Sequence, residues 1–211
     1  MHMRLARTLA WVGLLASFIA ALAIAACGTP TSSQTAPRAT PSRTAAPTAT
    51  PTEAPLTIVL TSSAFAPDAS IPSEYTCDGA NISPALAWRN VPAQTVSFLL
   101  LMEDRTGPRF THWLLFNLPA DTRALPANIP PGDQLASGAR QVRNDRGVVG
   151  YIGPCPALPR GSTHDYRFTL YALDASLALG AGATVSQVLD AASGHILAQG
   201  RLVGTYKLRN A

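Results

Sequence analysis

Past residue 56 the chain consists of short apolar runs set between clusters of Gly, Pro, Asn and Asp, the rhythm of an all-β domain. Leu56–Thr61 alternates apolar and polar positions and predicts a strand. Val96–Met102 is apolar except for Ser97, as expected of a strand buried on both faces, and Trp113–Leu118, apolar except for Asn117, reads the same way. Tyr166–Leu173 alternates again and predicts a further long strand. Arg201–Leu208 is the last, with Gly200 and Gly204 as mild breakers beside and within it. One helix stands out: Thr184 and Gln187 form a capping box, and Val185, Val188, Leu189 and Ala192 fall on one face before Gly194 stops the run. A short helical turn is expected over His195–Ala198. The long Pro119–Gly150 connection, rich in Pro and Gly, is expected to be functional or partly structured.

The first 55 residues follow other rules. Arg4 and Arg7 precede an apolar run from Leu9 to Ala26, which ends in Ile24-Ala25-Ala26-Cys27-Gly28. Small residues ahead of a cysteine at the end of such a run predict a lipoprotein signal peptide over residues 1–26. Cleavage would leave Cys27 as a lipidated N-terminus. The run is long enough that an uncleaved transmembrane anchor is the alternative. Either places the rest of the chain outside the cytoplasm. Residues 27–55 hold six Pro, with many Thr and Ala and almost nothing apolar and large, so they predict a semi-stiff tether. Residues 56–211 remain as one domain with enough chain to bury a core.

Charge changes the picture once the leader is set aside. The formal net charge is +4, but Arg4, Arg7, Arg38 and Arg43 lie before the domain. Past residue 56, 11 Arg and one Lys stand against 11 acidic residues. A nucleic-acid-binding domain shows a basic surplus or stripe, and this one shows neither. Of three cysteines, lipidation of Cys27 leaves Cys77 and Cys155, and an oxidising compartment favours a disulfide between them over two buried thiols.

A set of ordered motifs then comes into view. Ile71-Pro72-x-x-Tyr75-x-Cys77-Asp78-Gly79 is followed by Asn81-x-Ser83-Pro84-x-Leu86-x-Trp88. After these come Glu103-Asp104, His112-Trp113, Asn144-Asp145-x-Gly147, Gly150-Tyr151-x-Gly153-Pro154-Cys155-Pro156, His164-x-Tyr166 and Leu170-Tyr171-Ala172-Leu173. In this order they resemble the phosphatidylethanolamine-binding protein family, most closely its bacterial Raf-kinase-inhibitor-like branch. The resemblance implies a mainly β fold, a two-sheet sandwich-like structure with a few short helices. It also implies a small pocket for phosphate or phospholipid head groups. Asp104, His112, Gly153, Pro154, His164 and Tyr166 match the family's pocket positions.

The chemistry of those residues suits an anion. Two imidazoles, a phenol and a glycine-loop amide supply donors, and glycine lets backbone approach a ligand closely. Asp104 would orient a histidine by accepting its other ring N–H, or meet a head-group ammonium. His164 and Tyr166, two apart on a strand, share a face, and Asp165 points away. The second Asp and first Pro of the family's Asp-Pro-Asp-Ala-Pro motif are missing here, where Asp104 is followed by Arg105-Thr106-Gly107-Pro108-Arg109 in a shorter loop, so Arg105 and Arg109 are expected to make the rim more basic. Leu158-Pro159-Arg160-Gly161 lengthens the loop before His164.

Taken singly, His112 and His164 read as ordinary structural residues, His195 as a surface one, and Trp88 and Trp113 as core. A metal site from His112, His164 and Asp104 is chemically conceivable but carries no diagnostic spacing, and no cofactor is implied. The expectation is a membrane-tethered extracytoplasmic binding protein without catalytic activity. Its partners would be a small anion or phospholipid head group and, through the Cys27 anchor, a membrane. A regulator acting by protein–protein contact and a hydrolase using the His/Asp pocket are the alternatives.

Overall fold

A computed structural model describes residues 57–156 and 161–207. The predicted signal peptide, Cys27 and the tether, together with Leu56, Leu158-Pro159-Arg160 and Leu208, lie outside the described residues.

Eight strands, one α-helix and a 3-10 turn make up this part of the chain. In order they are β1 (Val59–Ser62), the turn Ser73–Tyr75, β2 (Leu86–Arg89), β3 (Ser97–Asp104), β4 (Phe110–Pro119), β5 (Ala124–Leu125), β6 (Arg140–Gln141), β7 (Thr163–Leu173), α1 (Val185–Ala192) and β8 (Ile196–Lys207). A small sheet runs β1-β2-β5 and a large one β6-β4-β3-β7-β8, with every neighbouring pair antiparallel. The fold is mainly β with two sheets and one helix, as expected.

The central strand explains the layering. All eight residues of β3 are buried. Phe98, Leu100 and Met102 face inward and pack with Leu60, Leu86 and Trp88 of the small sheet. Leu99 and Leu101 face the other way, toward Val188 and Ala192 of α1. The large sheet is thus covered on both sides, which is why the apolar run at Val96–Met102 has no alternation. The helix starts and stops as predicted, with Thr184 Oγ1 accepting from the Gln187 amide and the Gln187 side chain returning to the Thr184 amide.

Some elements differ from expectation. His195–Ala198 is not a helical turn: Ile196 opens β8, and Ala198 pairs with Ala172 of β7. The α1 stop is at Ser193–Gly194, and the strand's alternation prevails directly after it. Gly200 and Gly204 do not break β8 either. A Cβ at Gly200 would stand 2.5 Å from the Ile58 carbonyl oxygen, so a glycine here admits a crossing segment. β2 is a strand beyond those expected, and its Leu86-Ala87-Trp88-Arg89 alternates buried and exposed. The Pro119–Gly150 connection is partly structured, contributing β5 and β6.

Candidate functional site

At the end of the inner face where β3 runs out, Asp104 follows Met102 in the alternation and pairs with Tyr166 of β7. His164 lies two residues before Tyr166 on the same face. His112 reaches this face by a different route. Met102 pairs with Trp113 but Glu103 pairs with Thr111, so His112 is an extra residue on β4. Such a bulge re-aims a side chain, and here it brings His112 to the Asp104 side instead of the helix side. Asp104, His112, His164 and Tyr166 line a cavity of about 300 Å³, together with Gly107, Pro108, Phe110, Arg146, Cys155 and Pro156.

A strap over residues 151–156 builds one wall. The Ile152 amide donates to the His112 carbonyl, and His112 Nδ1 lies 2.9 Å from the Ile152 carbonyl. On its other side the strap is tied to residues 75–81. Tyr151 Oη donates to the Tyr75 carbonyl, the Cys77 amide to the Pro154 carbonyl, and the Gly153 amide to Asn81 Oδ1 at 2.8 Å. A Cys77–Cys155 disulfide, with Cα atoms 5.4 Å apart, completes the tie and agrees with the pairing expected from the cysteine count.

Gly153 and Pro154 therefore do not stand where the resemblance placed them. Neither lines the cavity, and the Gly153 amide is spent on Asn81. Its lack of a side chain serves backbone packing, since a Cβ would meet the Tyr75 carbonyl oxygen at 2.3 Å. The Gly153 amide is not available to the cavity, and it is the Cys155 backbone, two residues on, that stands at the cavity wall beside Tyr166.

The histidines are committed as well. His164 Nδ1 lies 2.6 Å from Asp104 Oδ2, and a carboxylate accepts, so this nitrogen carries a proton. His164 Nε2 is 3.0 Å from Ser162 Oγ. Asp104 thus orients a histidine, the role expected of it, and its Oδ1 accepts from the Thr106 amide at 2.9 Å. A carbonyl also only accepts, so His112 Nδ1 bears the hydrogen that meets Ile152. Burial pushes the His112 pKa below its usual 6.5, against smaller upward pulls from the Ile152 hydrogen bond and Asp104. The ring is neutral at pH 7, and its Nε2 presents a lone pair.

Two donors remain. The Tyr166 hydroxyl is buried and meets no partner at good hydrogen-bond geometry among the described residues, although Asp104 and the Cys155 backbone stand close enough to act on it. Burial, helped by the Asp104 charge, pushes its pKa far up, so it keeps its proton. The second is Arg146, which the motif comparison missed. The Asn144–Gly147 turn presents it: Asn144 Oδ1 accepts from the Arg146 and Val148 amides, and Asp145 Oδ2 accepts from the Thr111 amide. Arg105 and Arg109 do not make the rim basic. Both turn to Glu103 on the opposite face of β3, at 3.8 and 3.3 Å, where Arg167 joins them at 3.3 Å.

Trp88 and Trp113 are core, and His195 is a surface residue paired with Asp174. A larger groove of about 1140 Å³ lies between Glu103, the 143–145 turn and α1, but none of the predicted site residues line it. Among the described residues, no cluster of three or more His, Cys, Asp or Glu could hold a metal ion, and no helix is long and apolar enough to cross a membrane.

A two-sheet β domain with a small polar cavity at one end of its central hairpin is the class these features define. The sequence model of the family described as phosphatidylethanolamine-binding protein matches residues 61–207, and the chain belongs to that family. A UPF0098 protein of Methanothermobacter thermautotrophicus is 45% identical over 150 residues, covering 70% of this chain and 97% of the relative. A Mycobacterium tuberculosis relative named "Putative lipoprotein LppC" is 37% identical over 153 residues, covering 71% of this chain and 72% of its own. Among solved structures, the family homologue CT736 of Chlamydia trachomatis matches with a TM-score of 0.65 at 36% identity. It covers 72% of this chain and 99% of its own. YbcL of E. coli matches over the same shares with a TM-score of 0.66 at 27% identity.

Proposed function

We propose that the protein is a membrane-tethered extracytoplasmic binding protein whose cavity takes a small phosphate-type anion, free or as a phospholipid head group. The observation that carries this reading is the buried Tyr166 hydroxyl, a donor with no acceptor at good hydrogen-bond geometry, facing the same cavity as Arg146. A buried donor left unpaired costs about 1–3 kcal/mol, and a ligand oxygen would recover it. The tether rests on Ile24-Ala25-Ala26-Cys27 and on the lipoprotein name of one relative. Phosphate at a hundredfold excess over its dissociation constant should stabilise the domain by about 2.7 kcal/mol. Arg146→Ala should weaken that response. Equal phosphate stabilisation of wild type and Arg146→Ala would remove the cavity from the account.

One array favours a second reading, the hydrolase. Ser162 Oγ, His164 Nε2, His164 Nδ1 and Asp104 Oδ2 follow one another at 3.0 and 2.6 Å across the ring, the order of a nucleophile, its base and the base's orienting carboxylate. Labelling by a fluorophosphonate, lost in Ser162→Ala, would establish a reactive serine. Unlabelled wild-type protein would leave binding as the reading.

A further inference from the structure

The inference concerns which phosphate chemistry the cavity accepts, and it rests on the anion reading above. The sequence suggests four donors, two imidazoles, a phenol and a loop amide, but the structure leaves fewer. The Gly153 amide is on Asn81, and His164 is engaged at both ring nitrogens by Asp104 and Ser162. His112 has its Nδ1–H on the Ile152 carbonyl, so Nε2 is its remaining polar atom in the cavity wall. An imidazole nitrogen in that state accepts a hydrogen bond and repels an oxyanion lone pair.

The surroundings hold it so. Phe110 and Tyr166 pack on the His112 ring, with centroids 4.8 and 5.2 Å away. The charged and titratable groups facing it are Asp104 on β3, Asp145 and Arg146 from the turn, and His164 and Tyr166 on β7. Asp104 is occupied at both oxygens, Asp145 accepts from the Thr111 amide, and Tyr166 is an O–H donor. A fully deprotonated anion entering here finds a phenol and a guanidinium on its side, and a lone pair opposite.

We propose that the cavity holds its anion together with one proton, shared between a ligand oxygen and His112 Nε2. It therefore selects oxyanions that carry an ionisable P–OH, namely inorganic phosphate and phosphomonoesters, over phosphodiesters and sulfate. A monoester has a second ionisation near about pH 6, so its remaining proton is available close to neutrality. A diester has none to give, and sulfate loses its own far below that range. These ligands occupy the site only by protonating a buried imidazole.

Calorimetric titration of the whole protein tests this. The probes are inorganic phosphate, methyl phosphate, dimethyl phosphate and sulfate, each in two buffers of different ionisation heat. A soluble short-chain phosphatidic acid, a lipid monoester, separates lipid-borne from free ligands. At pH 8 the monoesters should take up close to one proton per site, and their affinity should fall about tenfold per pH unit above neutrality. Dimethyl phosphate and sulfate should bind about tenfold or more weakly, the loss of one charge-assisted hydrogen bond. His112→Gln, which offers an amide donor, should abolish proton uptake and narrow the gap between phosphate and sulfate. If that variant does not fold, the wild-type pH slope decides the matter. Methyl phosphate binding that is flat with pH, or sulfate binding equal to phosphate, would overturn the inference and leave the anion site standing. No binding by any probe would overturn both.

Discussion

Replacing Tyr166 by Phe should have effects of opposite sign on stability and on binding. The ring packs among core residues, with none of it exposed, and Phe keeps that packing. Only the hydroxyl goes. In the free protein it is a buried donor without a partner at good hydrogen-bond geometry, a state that costs about 1–3 kcal/mol. The variant should be more stable by about 1 kcal/mol, or roughly 2–4 °C in Tm for a domain of this size. With phosphate the order changes. A hydrogen bond to a charged partner contributes about 1.5–3 kcal/mol, so the variant should bind tenfold or more weakly. At a hundredfold excess over the wild-type constant, wild type gains about 2.7 kcal/mol and a tenfold weaker variant about 1.4. The variant's lead should then vanish. Thermal unfolding of both proteins with and without phosphate measures all four values. A Phe variant that is less stable alone and equally responsive to phosphate would refute the reasoning, because the hydroxyl would then have a structural partner and no ligand.

Asn81→Ala removes the acceptor of the buried Gly153 amide and should cost about 1–3 kcal/mol by chemical denaturation. Reducing Cys77–Cys155, which are 78 residues apart, should lower stability by roughly 4–5 kcal/mol if chain entropy dominates, as read from unfolding midpoints with and without reductant. His112 has a folded pKa below its unfolded value, so the unfolded chain binds more protons in the window between them. Stability should therefore fall as pH drops below the usual 6.5, until the lower folded pKa is passed, and His112→Gln should flatten that slope. Nitrogen chemical shifts at pH 7 should show a neutral His112 ring with its hydrogen on Nδ1. A fatty-acid analogue should label the wild type in its host and not Cys27→Ser.

What the sequence disclosed follows from how locally each feature is determined. The capping box of α1 and the apolar run Phe98–Met102 of β3 involve neighbours along the chain, so both could be read directly. The Ser162-to-Tyr166 segment alternates, so His164 and Tyr166 could be placed on one face. His112 is a different case, because it reaches the cavity through a bulge, and a bulge depends on the register of two strands. Motif order named the residue without giving its geometry. Gly153 was matched correctly to a loop, but the destination of its amide depended on Asn81, 72 residues away. Arg146 was passed over because Asn144-Asp145-x-Gly147 hid it at the variable position. Arg105 and Arg109 could not be assigned to a face before Glu103 was known to be buried behind β3.

The β3–β4 connection bears on how such a site could be altered. Its two ends are a paired couple, Asp104 and Phe110, and the first residues beyond are fastened independently. The Arg105 amide is held by the Asp165 carbonyl, and Thr106 by Asp104 and Asp165. Gly107 and Pro108 at the tip line the cavity but make no part of the frame. The tip is therefore an interchangeable part. Residues can be added, removed or swapped between Thr106 and Arg109, whose pairing with Glu103 belongs to the frame, while the bulge, the strap and the tyrosine stay in place. Cavity entrance and ligand size can be redesigned in this loop alone, as a cassette on a fixed chassis.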